Sequence, residues 1–194
     1  MIGNDIVDIA EAKKNSNWQR PRFLDKLFTT EEQQYISNAK SPFLMVWQLW
    51  SMKEAAYKLY IQGNPSRFYN PKQFECSINA LNGTVRYKDF KCYVNTKIKE
   101  QCILSEARLH PSEMTSGDVV EISNPKTQSK TIKEALLKVI SEQYNILHSD
   151  LKIVKSEFGI PSVLRDSKKL DVGISISHHG NYGAFCHSCE SRNL

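Results

Sequence analysis

Hydrophobic and polar residues alternate at the start of the chain. In residues 2–9, Ile2 and Ile6 fall on one face of an extended segment, and Asp5 and Val7 fall on the other. Because side chains on a strand alternate between its two faces, the pattern predicts a short strand. Asp5 is then presented away from the side that buries Ile6.

In residues 49–59, the spacing of the apolar residues changes from that of a strand to that of a helix. Apolar residues recur there at i, i+3 and i+4 spacing, at Leu49, Met52, Ala56 and Leu59. This spacing predicts an amphipathic helix with its apolar stripe toward a core, and it places Glu54 and Lys58 together on another face. Residues 131–144 have similar helical spacing, and Thr29-Thr30-Glu31-Glu32 has the hydroxyl and early acids of a helix start.

Strand-like segments follow the central helix. FECSINAL, TVRY and KCYVNTKI are separated by short turns, as in an antiparallel meander. A polar stretch, residues 110–118, separates them from a short strand at 119–122, the helix at 131–144 and the strand GISISHHG. The order predicts an α+β fold of two related units, residues 1–110 and 111–194, each with a small antiparallel sheet packed on helices.

Composition limits the function classes. Lys and Arg number 26 against 21 Asp and Glu, a net charge of +5, which is too small for a dedicated nucleic-acid binder and suits an acidic partner. The five scattered cysteines do not form a disulfide framework, and no signal-peptide pattern or long apolar run occurs. We therefore expect a cytoplasmic protein without a membrane span. The segment Cys186-His187-Ser188-Cys189 has no second matching pair, so a zinc site is not favoured.

Two motifs carry a family resemblance. The segments GNDIVDI, near the N-terminus, and Trp-Ser-Met-Lys-Glu-Ala, from Trp50, resemble the signature motifs of phosphopantetheinyl transferases, which load carrier proteins from coenzyme A. Residues 1–110 resemble the C-terminal half of the larger, surfactin-synthetase-activating type, and residues 130–186 resemble its N-terminal half. The halves are therefore in permuted order, and the N-terminal motif is also similar to that of compact holo-acyl-carrier-protein synthases. The resemblance implies that family's fold, with two pseudo-symmetric halves and coenzyme A between them.

The resemblance also implies a reaction. A carrier-protein serine attacks the β-phosphate of coenzyme A, 3′,5′-ADP leaves, and the phosphopantetheine arm stays on the carrier protein. Asp5 and Glu54 would bind Mg²⁺, which usually takes one or two protein carboxylates. Glu54 would also be the catalytic base, and Lys58 would contact a phosphate oxygen. A surface salt bridge between Glu54 and Lys58 is the alternative interpretation of that pair.

The larger family type has a Glu two residues after the strand Asp, where this chain has Val7. Asp8 would point to the opposite face from Asp5, so we expect a water in place of a third carboxylate ligand.

Coenzyme A would be bound mainly by the second half. In the family the Ser-His pair, here Ser177 and His178, contacts the phosphates, although a histidine at a strand end is often structural. The family's Gly-Lys-Pro turn is Gly159-Ile160-Pro161 here, which removes one ammonium group. Lys126 or Lys130 is the candidate to replace it, and both are equally well explained as surface lysines.

A basic cluster follows the first strand: Lys13, Lys14, Arg20, Arg22 and Lys26. It is either a solvated face or the surface to which an acidic carrier protein is steered.

The sequence as a whole predicts a magnesium-dependent phosphopantetheinyl transferase, a monomer with an internal pseudo-dimer, that binds no nucleic acid and no membrane. The alternative is a non-catalytic module that binds coenzyme A or a carrier protein. Val7, Ile160 and the polar tail that starts at Cys186 motivate that alternative, and this tail could also weaken the sheet of the second half.

Overall fold

A five-stranded antiparallel sheet is built from the first part of the chain, in a computed structural model that describes residues 1–189. The order of the strands is β1-β5-β4-β3-β2. The strands are β1 (Ile2–Asp8), β2 (Glu75–Asn79), β3 (Asn82–Tyr87), β4 (Phe90–Ile98) and β5 (Cys102–Arg108). The helices of this part are α1 (Ile9–Asn15), α2 (Phe23–Leu27), α3 (Thr30–Asn38) and α4 (Pro42–Gly63), and a 3-10 turn spans Pro71–Gln73. The predicted meander and the predicted first strand are confirmed.

Two three-stranded antiparallel sheets and one long helix form the second part. The sheets are ordered β10-β11-β6 and β7-β8-β9. The elements are β6 (Thr115–Glu121), α5 (Gln128–Tyr144), β7 (Leu151–Lys155), β8 (Pro161–Arg165), β9 (Lys168–Lys169), β10 (Ile174–His179) and β11 (Tyr182–Ser188), with 3-10 turns at Pro125–Thr127 and His148–Asp150. The predicted α+β class, with small antiparallel sheets packed on helices, is confirmed. The division into domains at residue 110 stays a prediction.

Helix α4 forms the centre of the first part. Ser41 accepts a hydrogen bond from the backbone N–H of Leu44 at its N-terminus, and Pro42 occupies the first turn, where no backbone donor is needed. The stripe predicted from the sequence is the buried face, because Leu49, Met52, Ala56 and Leu59 are at most 1% exposed. No helix in the described residues is long and apolar enough to cross a membrane.

Strand β1 lies between α4 and the second part, and it is buried on both sides. Val7 belongs to the core that contains α4, whereas Ile6 packs with Leu104 and Ala184 on the other side. Gly3 allows the close approach to α4, since a Cβ at this position would overlap the carbonyl oxygen of Ala55. This approach brings the N-terminal motif and the helical motif together.

Hydrogen bonds join β1 to β10 along a seam between the two parts. The backbone N–H of Asn4 donates to Ser175 Oγ at 3.0 Å, and its side-chain amide donates to Ser177 Oγ at 3.0 Å. The N–H of Asp8 donates to His179 Nδ1 at 3.0 Å, and Asp8 Oδ2 accepts from the N–H of Asn181 at 3.0 Å. Asp8 therefore forms hydrogen bonds across the seam, and its side chain does not lie on the face of β1 that carries Asp5.

Two sequence expectations need correction here. The strand predicted at 119–122 is β6, which already begins at Thr115, inside the stretch interpreted as a polar junction. β6 pairs along one side only and most of its residues are exposed, so its polar residues face solvent. The polar tail does not end the sheet early, because Cys186 and His187 are fully buried in β11. Residues 190–194 of that tail lie outside the described residues.

A buried ion pair fixes the packing of α3 on α4. Lys53 Nζ lies 2.7 Å from Glu32 Oε1, and both side chains are fully buried. Lys53 also donates to the carbonyl oxygens of Pro71 and Phe74, at 3.0 and 2.6 Å. Glu32 accepts from the N–H groups of Cys76 and Thr29. Because both charges have further hydrogen-bond partners, removing one partner would leave the other charged and buried.

Replacing Lys53 by methionine is therefore expected to lower the free energy of unfolding by about 3–5 kcal/mol, because the Glu32 carboxylate would lose its counterion in the interior. Urea denaturation measures this loss. The control is Lys97→Met, which breaks a 3.9 Å pair with Glu106 in which the lysine side chain is 57% exposed, and which should change stability by less than about 1 kcal/mol. Equal losses in the two variants would contradict the role given to Lys53.

Candidate functional site

The Asp5 carboxylate and the side chains of Glu54 and Lys58 meet where β1 crosses α4. Lys58 Nζ donates to Asp5 Oδ1 at 2.8 Å and to the carbonyl oxygen of Asn4 at 3.0 Å. The exposed fraction of the side chain is 13% for Asp5 and 26% for Lys58. The ion-pair partner of Lys58 in the described chain is thus Asp5, and the alternative of a surface bridge between Glu54 and Lys58 is not what the structure shows.

A cavity of about 240 Å³ opens beside these three residues, between the two parts of the chain. Helix α4 contributes Glu54 and Lys58 among others. The opposite wall comes from the β7–β8 hairpin and from β10. It consists of Lys155, Gly159, Ile160, Pro161, Ser175 and Ile176. The helical motif therefore faces a cleft whose second wall is about a hundred residues away in sequence, and Asp5 reaches this site through its contact with Lys58.

Glu54 has the protonation behaviour of a base that operates near neutral pH. Burial, and after it the negative charge of Asp5, raises the pKa of its carboxyl group from 4.5 to about 7. The positive charge of Lys58 and the Tyr69 hydroxyl oppose this shift. A base with a pKa close to the working pH accepts a proton and releases it with similar ease.

Asp5 is in a similar environment. Burial raises the pKa of its carboxyl group above the usual value, and the neighbouring Lys58 ammonium lowers it. Two carboxylates that both resist ionisation lie on one side of the cleft, and the pKa of one responds to the charge of the other. Positive charge brought near them would stabilise both charged forms.

The carboxylates suit magnesium better than a metal that needs a full set of protein ligands. Within residues 1–189, no group of three or more His, Cys, Asp or Glu side chains is placed to hold a metal ion. Val7 packs in the core and Asp8 bonds to Asn181, so neither adds a ligand beside Asp5. Magnesium needs only one or two carboxylates, with water and phosphate oxygens in its other positions. Asp5 and Glu54 fit that requirement, and their role as metal ligands stays a prediction.

The predicted Ser-His pair is divided between two environments. Ser177 is 4% exposed and accepts the hydrogen bond from the side chain of Asn4, so it belongs to the seam. His178 is exposed, and its pKa is lowered by partial burial and by the positive charges of Lys58 and Lys155. Its imidazole is therefore mainly neutral at pH 7 and can donate one N–H. The neighbouring Ser175 and Ile176, rather than Ser177, line the cavity.

The structure brings one unexpected lysine to the cleft. Lys126 and Lys130 are exposed at the start of α5 and are not among the residues that line the cavity. Lys155 does line it, and it pairs across the β7–β8 hairpin with Pro161, next to Ile160. The signal in the sequence was the short spacing between Lys155 and the Gly159-Ile160-Pro161 turn, which is compatible with a tight hairpin. The binding role predicted for Lys130 is not tested by this placement.

The basic cluster lies on and around α2. Arg20, Arg22 and Lys26 line a small hollow of about 110 Å³, and the Arg20 guanidinium lies 5.2 Å from the centre of the Phe23 ring. Lys13 lies 5.6 Å from the ring of Phe43 at the start of α4. All four cations are exposed.

Replacing Glu54 by glutamine is expected to stabilise the fold above pH 7. The folded carboxyl group has a pKa of about 7, above the unfolded value of 4.5, so wild-type stability falls as the pH rises from 4.5 to 7 and stays lower above 7. An uncharged amide removes this loss, which is worth on the order of 3 kcal/mol. Thermal unfolding should give a higher Tm for Glu54→Gln at pH 8 and nearly equal Tm values at pH 4. A Tm difference that does not depend on pH would contradict the shifted pKa.

Comparison with known proteins agrees with this geometry. A curated relative, the holo-[acyl-carrier-protein] synthase of Protochlamydia amoebophila (strain UWE25), is 40% identical over 57 residues. The aligned region covers 29% of this chain and 47% of the relative, so the match spans about half of the relative's length. The family model of the 4′-phosphopantetheinyl transferase superfamily matches residues 1–110, which include β1, α4 and the whole five-stranded sheet. The chain therefore belongs to the 4′-phosphopantetheinyl transferase superfamily.

Proposed function

We propose that this protein transfers the phosphopantetheine arm of coenzyme A to a serine of an apo acyl carrier protein, with release of 3′,5′-ADP. The observation that carries the proposal is the carboxyl group of Glu54, with a pKa of about 7, beside Asp5 and Lys58 in a cleft between the two parts of the chain. Membership of the superfamily and the similarity to a holo-[acyl-carrier-protein] synthase support the same reaction.

The chemistry assigned to Glu54 is proton removal. The carrier serine loses its hydroxyl proton to the Glu54 carboxylate as its oxygen forms a bond to the β-phosphorus of coenzyme A. The bond between the β-phosphorus and the oxygen that bridges to the α-phosphate breaks, and that oxygen leaves as part of 3′,5′-ADP. Proton transfer of this kind typically contributes about 10²- to 10⁴-fold to the rate.

Lys58 is assigned to the stabilisation of negative charge on the phosphate, and Asp5 is assigned to the positioning of Lys58 and to metal binding. The ammonium group of Lys58 is held at the cleft by Asp5 and by the carbonyl oxygen of Asn4, so it is already oriented toward a phosphate oxygen before substrate binds. Magnesium bound by Asp5 and Glu54 would neutralise charge on the diphosphate.

The partner that fits the basic cluster is a carrier protein with an acidic surface. Exposed cations around α2 would attract such a protein over a distance comparable to the Debye length, and this attraction acts mainly on the association rate. The superfamily and the name of the curated relative support an acyl carrier protein in general.

The first test compares Glu54→Gln with wild type by intact-mass analysis of an apo acyl carrier protein incubated with coenzyme A and Mg²⁺. Wild type should add one phosphopantetheine group, and the variant should do so about 10²- to 10⁴-fold more slowly because it lacks the base. The wild-type rate should rise with pH as Glu54 loses its proton and level off below pH 7, because positive charge from Mg²⁺ would lower the pKa of about 7 that the carboxyl group has without metal. A chelator should stop the wild-type reaction.

The matched control is Glu142→Gln, which changes an exposed glutamate on α5 that does not line the cavity. It should transfer at the wild-type rate. No transfer by wild type to several carrier proteins would refute the proposed reaction, and a fully active Glu54→Gln would refute the role of this residue.

The second test reverses charge on the docking surface. Arg20→Glu and Lys26→Glu should each raise the KM for the carrier protein several-fold at low salt and leave kcat nearly unchanged, because interface charges act on encounter. The difference from wild type should shrink as salt is added. Lys138→Glu, an equal change of charge on exposed α5, is the control. The same rise in KM for the control would show that net charge, rather than this surface, governs encounter.

A further inference from the structure

A second ammonium group faces the cavity from the wall opposite α4. Lys155 is the last residue of β7 and lines the same cavity as Glu54 and Lys58. The side chains around it on that wall are mostly apolar, among them Ile160, Pro161 and Ile176. A single charged group on an otherwise apolar wall is typical of a position that orients a ligand.

The hairpin that carries Lys155 is held in a defined shape. Across the hairpin, the N–H of Ser156 donates to the carbonyl oxygen of Ile160 at 3.0 Å, and the N–H of Gly159 donates to the carbonyl oxygen of Ser156 at 2.9 Å. Gly159 has φ +79°, a conformation that glycine adopts without strain. Arg67, in the loop after α4, donates to the carbonyl oxygen of Glu157 at 3.0 Å. The hairpin is thus also bonded to the loop that follows α4.

The charge of Lys155 is not balanced by the protein. None of the ion pairs within residues 1–189 includes Lys155, whereas Lys58 pairs with Asp5 and Lys53 pairs with Glu32. Its side chain lines the cleft, and its positive charge also acts on His178 nearby, since partial burial, Lys58 and Lys155 all lower the pKa of that residue. The cleft therefore has an available cation on the wall that lacks carboxylates.

We infer that Lys155 is an anion-binding residue of this cleft and pairs with a phosphate group of coenzyme A from the wall opposite Lys58. The identity of the ligand rests on the proposed function, but the pairing of Lys155 with a nucleotide phosphate does not require that any transfer occurs. Lys155 would thus bind and orient the coenzyme while Glu54 performs the chemistry on the other wall.

The test measures binding of 3′,5′-ADP to the full chain by isothermal titration calorimetry. Lys155→Gln should raise the Kd about tenfold, the loss of one charge-assisted contact. The matched control is Lys152→Gln, an exposed lysine that lies three residues earlier on β7 and does not line the cavity. It should leave the Kd within about twofold of wild type. In transfer assays, Lys155→Gln should raise the KM for coenzyme A more than it lowers kcat.

A rescue variant separates charge from structure. Ile160 also lines the cavity, on the other strand of the hairpin, so Ile160→Lys added to Lys155→Gln should recover most of the lost affinity for 3′,5′-ADP. Circular dichroism of each variant checks that the fold is retained. Recovery would show that a positive charge on this wall, rather than the shape of the hairpin, determines binding, and a double variant that binds no better than Lys155→Gln would contradict this.

The outcomes distinguish this inference from the proposed function. An unchanged Kd for Lys155→Gln, or equal losses for Lys155→Gln and Lys152→Gln, overturns the inference even if wild type is an active transferase. Binding that depends on Lys155 in a protein that transfers nothing supports the inference and refutes the proposed reaction. A wild-type chain that does not bind 3′,5′-ADP overturns the inference.

Discussion

The packing of β1 between α4 and β10 is the constraint on which the rest of the structure depends. The strand is buried on both sides, so each residue must suit one of two neighbours. Gly3 lets the backbone of β1 approach α4 closely, and Asn4 and Asp8 use their polar groups to bind the second part of the chain. Between them, Asp5 binds Lys58, which lines the cleft. One strand thus determines both the distance between the carboxylates and the position of the second wall.

Helix α4 places three charged side chains, all within six residues, in different environments. Lys53 is fully buried and holds α3 through Glu32. Glu54, the next residue, is partly buried at the cleft, where its pKa rises to about 7. Lys58 returns to the same side and binds Asp5. Neighbouring residues on a helix point about 100° apart, so a short motif can supply both a structural ion pair and a reactive carboxyl group. The stability of the first pair keeps the second group in place.

Much of the fold was predictable because burial imposes clear periods. The apolar stripe of α4 and the alternation of β1 follow directly from the sequence, as do the meander and α5. β6 was missed in part because a mostly exposed edge strand has no apolar alternation to detect. The spacing of Lys155 from the Gly159-Ile160-Pro161 turn indicates a hairpin, but its position across the cavity from Glu54 could not be predicted, because it depends on the packing of two distant parts of the chain.

The candidate site was predicted in its residues and less well in its contacts. Asp5, Glu54 and Lys58 do meet, but spacing on a helix suggested Glu54 as the neighbour of Lys58, and the tertiary contact with Asp5 prevails. A buried position for Ser177 was also not foreseen, because its partner Asn4 lies on a strand 173 residues earlier. Local patterns specify elements, whereas the partners of polar side chains at a seam are set by the register of strands that the sequence does not place.

The most direct measurement of the central claim is a crystal structure of the full chain with coenzyme A and Mg²⁺. The account predicts that the diphosphate lies in the cleft between α4 and the β7–β8 hairpin, with the metal at Asp5 and Glu54 and with contacts from both walls. Coenzyme A bound outside this cleft, for example in the polar cavity lined by Lys99, Asp118 and Tyr182, or bound by only one of the two walls, would contradict it.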